Sequence, residues 1–180
     1  MSKLKKAHIP DFSKVRKVLS AVAQEVTECH IEEFAEAERA SFVREVERQN
    51  FDDFNAAPLK PSYRARKVRL GLDPRVMIRT RHYLDSIRVF RRKNSAQSVT
   101  FHVGFHARAL ARDDKGRRVP FLLRYLAAVH EEGSHKAHIP RRRHWRPHLA
   151  RMHERAPRVR ARIKAEIRER ARKKLPAMLA

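Results

Sequence analysis

Acidic and basic side chains occupy different stretches of this 180-residue chain. Residues 1–60 carry 10 Lys or Arg and 11 Asp or Glu, whereas residues 61–180 carry 33 and 9. The whole formal charge of +23 therefore belongs to the last two thirds. The densest block, residues 138–174, sets 15 Lys or Arg against Glu154, Glu166 and Glu169. Such a block is costly without a counter-charge and points to nucleic acid or an acidic partner. The plainer alternative is a solvated helix face.

The length fits one domain with arms. We divide it into an N-terminal helical segment (1–50), an α+β core (51–147) and a basic C-terminal helix (148–180). A lone cysteine, Cys29, rules out an intramolecular disulfide framework and fits a reducing compartment. No apolar run approaches the roughly 18 residues of a membrane span. The start, Met1-Ser2-Lys3-Leu4-Lys5-Lys6, is basic but no apolar signal core follows, which argues against secretion.

Val15, Val18, Leu19, Val22 and Val26 form one helical stripe, with Ser13 as its expected N-cap. The periodicity continues through Ile31, Phe34, Phe42, Val43 and Val46, predicting helix over 13–50, as one long helix or two in succession. Cys29, at the edge of the stripe, is expected as a small buried hydrophobe. Prolines and an Asp/Asn cluster make 51–63 a connector, followed by a short helix near 62–69. A turn follows at Gly71, Asp73 and Pro74. Thr80 is the expected N-cap of a short helix ending near Ser86.

Ile87-Arg88-Val89-Phe90-Arg91 and Val99-Thr100-Phe101-His102-Val103-Gly104-Phe105 both alternate, predicting a β-hairpin with one apolar face. The linker is Asn94-Ser95-Ala96-Gln97-Ser98. Asp113-Asp114-Lys115-Gly116 marks a loop before Val119. Pro120 fits the first turn of a helix through Phe121, Leu122, Tyr125, Leu126 and Val129, closed by Gly133. Ile139 must be extended because Pro140 follows. The last helix is expected over 147–174, disturbed at Pro157 and ended by Leu175-Pro176. The expected core comprises Ile87, Val89, Phe101, Val103, Leu122, Leu126 and Val129. The fold class is α+β: a small antiparallel sheet packed by helices.

His130, His135, His138 and His144 raise a metal reading. His130 and His135 stand five apart, however, which turns the second imidazole by about 140° on a helix, and Gly133 lies between them. No phosphate loop, nucleophile elbow or paired-carboxylate motif occurs. We therefore expect no catalytic, cofactor-binding or metal-binding residues. Arginine favours bidentate contacts with phosphate or carboxylate. Arg141, Arg142, Arg143, Arg146, Arg151 and Arg155 are the expected contacts to a partner or DNA. Trp145 is the one aromatic among them, which argues against base stacking.

Several segments fall in a telling order. Pro58-Leu59-Lys60-Pro61-Ser62-Tyr63 and Arg66-Lys67 precede Ile78-Arg79-Thr80-Arg81-His82-Tyr83-Leu84-Asp85-Ser86-Ile87. Val103-Gly104-Phe105 and Tyr125-Leu126-Ala127-Ala128-Val129-His130-Glu131-Glu132-Gly133 come next. Ile139-Pro140-Arg141-Arg142-Arg143-His144-Trp145-Arg146-Pro147 follows. This order, over roughly 51–170, resembles the neck and tail-completion proteins of tailed bacteriophages. Arg81 stands where that family's pattern has glycine, and Arg143-His144 where it has Pro-Phe.

The resemblance implies a non-catalytic virion protein at the head–tail junction, made in the host cytoplasm and free of membrane. It implies a homo-oligomeric ring, a hexamer ahead of a dodecamer. The neighbours would be the portal or head-closure ring and the tail tube or terminator proteins, with non-specific contact to packaged DNA. The rivals are a basic nucleic-acid-binding protein of ribosomal or chromosomal type, whose affinity would fall steeply with salt, and a metal-dependent hydrolase built on the histidines.

Overall fold

The computed structural model describes residues 12–78, 81–95, 98–112 and 117–179. The basic start at 1–6, the Thr80 cap, Ala96 and Gln97 of the hairpin linker, and the 113–116 turn lie outside the described residues. The fold is α+β. The helices are α1 (Phe12–Glu47), α2 (Asp52–Ala56), α3 (Pro61–Arg69), α4 (His82–Asp85), α5 (Leu123–Glu132) and α6 (Trp145–Leu179). The strands are β1 (Ile87–Ser95), β2 (Ser98–Phe105), β3 (Leu110–Arg112) and β4 (Arg118–Leu122). They form two separate antiparallel pairs, β1 with β2 and β3 with β4.

The chain divides into two compact units. The larger, Glu33–Arg155, holds every strand and the main core. Phe42 and Val46 of α1 pack there with Phe51, Phe54, Ile78, Leu84, Ile87 and Leu123. In the smaller unit, the described residues 12–32 and 156–179 form an antiparallel helix pair around Val22, Val26 and Ile163. His30 Nε2 meets Glu166 Oε2 at 2.5 Å, and Arg170 meets Glu25 at 2.9 Å. The hydrogen bonds from His30 and then Arg170 hold the Glu166 carboxyl below its ordinary pKa.

The predicted hairpin is present. Ile87 pairs with Phe105, Val89 with Val103 and Arg91 with Phe101, so the apolar positions share one face. Of the expected core residues, Ile87 is fully buried. Val103 and Leu126 pack partly against the core, and Val89, Phe101, Leu122 and Val129 are half-buried.

Several expectations need correction. Pro120 lies in β4, and the helix starts at Leu123. A two-stranded ladder leaves β4 an open edge, where a residue without N–H is tolerated. The later start rotates the buried face to Leu123 and Ala127 and leaves Phe121 and Tyr125 exposed. The stretch from Phe105 to Val119 contains β3, not loop alone. The 51–63 connector contains α2, whose Phe54 is buried beside Phe51. Ser13 already lies inside α1. Cys29 is exposed, because the buried line follows i+4 steps through Val22, Val26 and His30 and passes it by. Neither Pro157 nor Pro176 ends α6. Each removes one backbone hydrogen bond, and the division between the units falls beside Pro157.

Candidate functional site: a buried polar knot and the arginines around it

The site begins where α5 ends. Gly133 has φ 78° and ψ 174°, and a Cβ there would lie 3.0 Å from the Arg141 backbone nitrogen. Only glycine fits both the conformation and the close approach. Ser134 and Ile139 then exchange backbone hydrogen bonds of 2.8 and 2.9 Å, with Ile139 extended ahead of Pro140 as expected. Arg142 N donates to His130 O at 2.7 Å. The chain has doubled back and delivers the start of α6 to Glu131.

A helix start exposes unpaired N–H groups and partial positive charge. The buried Glu131 carboxylate accepts from the backbone N–H of His144 (3.0 Å), Trp145 (3.1 Å) and Arg146 (3.0 Å). One side chain thus caps a 35-residue helix from outside it.

Below the cap runs a hydrogen-bonded chain. His144 Nδ1 lies 2.8 Å from the Arg142 carbonyl, which can only accept, so this nitrogen bears the proton. His144 Nε2 then accepts from the Tyr83 hydroxyl at 2.8 Å. Tyr83 in turn accepts from Trp145 Nε1–H at 3.1 Å. Burial favours the neutral forms, pushing the Tyr83 phenol up and the His144 imidazole down. Phe42 stacks on Trp145 with centroids 4.1 Å apart, and Phe105 tilts against Tyr83 at 4.9 Å.

Each predicted contact arginine has a place around this knot. Arg142 is buried and donates to the Ala57 carbonyl at 2.8 Å and the Pro58 carbonyl at 3.5 Å; burial holds its pKa down. Arg143 grips Asp53 at 3.0 Å through both backbone N–H and Nε, holding that carboxyl below its ordinary range. Arg141 is exposed, 3.9 Å from the same carboxylate. Arg146 pairs with Glu132 at the surface. Arg151 meets Glu45 at 2.8 Å and lies over the Phe51 ring at 5.3 Å, and Arg155 pairs with Glu38. His148 is buried between these carboxylates, 2.9 Å from Glu45 and 3.4 Å from Glu38. In the larger unit the α1 acids Glu45 and Glu38 therefore neutralise Arg151 and Arg155 of α6.

Tyr83, His144 and Glu131 are a set that could move protons, and the His144 side chain is 0 % exposed. Their work is to join α4, α5 and α6. Of the histidines weighed for metal, His130 and His144 face inward, while His135 and His138 are exposed. No group of three or more metal-ligating side chains is assembled among the described residues. No described helix is long and apolar enough to cross a membrane.

Sequence reasoning missed Glu131, Tyr83, Asp53, Glu38 and Glu45. One signal was readable: Glu38 and Glu45 share a helical face with Phe42 and Val46, and carboxylates on an apolar stripe mark a buried ion pair. Compared with known proteins, the chain matches no family model, no curated protein and no solved structure.

Proposed function

We propose that this chain is a structural subunit of a ring at the neck or tail top of a tailed bacteriophage, joining the portal side of the head to the tail. The observation that carries this reading is convergence. Four of the six segments behind the resemblance supply Tyr83, Phe105, Glu131 and the His144-Trp145 pair, and these side chains meet in one knot.

A second observation fits. Arg81, where the family pattern has glycine, takes φ 59°, a left-handed conformation that glycine adopts freely. Both described sheets have only two strands, so every strand keeps an unpaired edge that a neighbouring subunit can extend. The knot fixes α5 to α6 and would keep the docking elements in register, a positioning role with no bond chemistry.

The test is native mass after nuclease treatment at high salt, alone and with portal-side and tail-top rings. A sixfold or twelvefold mass, or assembly only on such a ring, is expected. A monomer that ignores both partners would contradict the reading.

A further inference from the structure

Beyond the arginines that meet acids of their own fold, α6 carries a second set. Arg158, Arg162, Arg168 and Arg172 are all exposed and, among the described residues, have no ion-pair partner. At about 100° per residue they fall within roughly a 120° arc, turned away from the buried Ile163. They span about 21 Å of helix. The acids nearby are already committed: Glu166 to His30 and Arg170, and Glu169 to Lys173 at 2.6 Å.

We propose that this face of α6 binds the backbone of duplex nucleic acid. The residue type fits phosphate, since a guanidinium donates in a rigid fork that matches its oxygens. The composition disfavours an acidic protein. Protein interfaces are centred on apolar or aromatic anchors, whereas the only other residues on the arc are Ala161, Ala165 and Glu169, whose charge is met by Lys173. Interfaces with nucleic acid are polar and positively charged throughout. No aromatic residue lies on the arc to stack an unpaired base, which selects duplex over single strand. The contact proposed is to phosphate, which carries no sequence information, so recognition is by charge and independent of sequence. The inference relocates the nucleic-acid contact from residues 141–155 to residues 158–172 and stands whether or not the chain forms a ring.

The experiment is fluorescence anisotropy of a random-sequence DNA duplex against the full chain over a salt series. The fourfold variant R158Q/R162Q/R168Q/R172Q should lose at least about 100-fold in affinity near 0.1 M salt. The slope of log K against log salt should become shallower by about 3 to 4 units, at roughly 0.9 per phosphate contact. The matching Arg→Lys variant keeps the charge and should retain the slope, and R141Q/R143Q/R146Q should shift it by less than about 1. Wild-type binding by the fourfold Gln variant with helical circular dichroism intact would overturn the proposal. An equal loss in R141Q/R143Q/R146Q, or polyglutamate competing as well as duplex, would overturn it too. If the Gln variant fails to fold, the Arg→Lys variant decides, since a lost slope there contradicts a charge-based contact.

Discussion

Two stretches of the basic C-terminal region look alike in sequence and differ in use. Along residues 141–155, Arg143, Arg146, Arg151 and Arg155 each meet a carboxylate, and the buried Arg142 meets carbonyls. Along residues 158–172, Arg158, Arg162, Arg168 and Arg172 face water. The difference lies in what α6 runs beside. In the larger unit α1 presents Glu38 and Glu45 on its apolar face, and charge is absorbed into the packing. In the smaller unit Glu25 and His30 engage Arg170 and Glu166, leaving the outward arginines uncompensated. Charge density along a chain therefore does not measure the charge available to a partner.

The hardest blow to the first stretch should come at its cap. Glu131→Gln removes the charge under three N–H groups and sets an amide against donors, so unfolding free energy should fall by about 3 kcal/mol. Urea denaturation followed by Trp145 fluorescence reads this directly. Glu38→Gln should cost less, about 2 kcal/mol, because it strands His148 and Arg155 while Arg155 keeps partial access to water.

Acid should weaken the same region. His130 is largely buried with Nδ1 unbonded, and burial first, then repulsion by the Arg142 charge, lower its pKa to about 4. In the unfolded chain it titrates near 6.5, so the unfolded state takes up protons that the folded state refuses. Stability is full above about pH 6.5 and falls as pH drops toward 4, by between about 1 and 2 kcal/mol at pH 5. His130→Leu should flatten this part of the profile. Asp53, held down by its hydrogen bonds to Arg143, adds a loss only below pH 3.8. The smallest effect is a gain. Arg81→Gly relieves a left-handed backbone at the cost of an exposed pair with Glu47, for a net of about 0.5 kcal/mol in favour of folding.

Local pattern made much of the fold legible. The stripe from Val15 to Val26, the alternation in β1 and β2, Gly133 and Ile139-Pro140 all follow from one segment's own chemistry. Prolines misled, because whether Pro120 or Pro176 breaks an element depends on an open strand edge or on packing that sequence does not display. The knot was beyond reach for a different reason. Tyr83 and His144 stand 61 positions apart. Glu131 reaches the α6 cap only because Gly133 turns the chain back. His130 and His144 drew notice as metal candidates, while the carboxylate beside them carried the structural role.

The most direct test of the contrast is denaturant unfolding of two neutralised variants side by side. R142Q/R151Q/R155Q should lose about 2–4 kcal/mol by exposing the buried carboxylate and carbonyl partners to unmet demand. R158Q/R162Q/R168Q/R172Q should stay within about 0.5 kcal/mol of the parent or gain from reduced repulsion. Equal losses in the two, or a larger loss in the second, would contradict the division of α6 into a structural stretch and an available one.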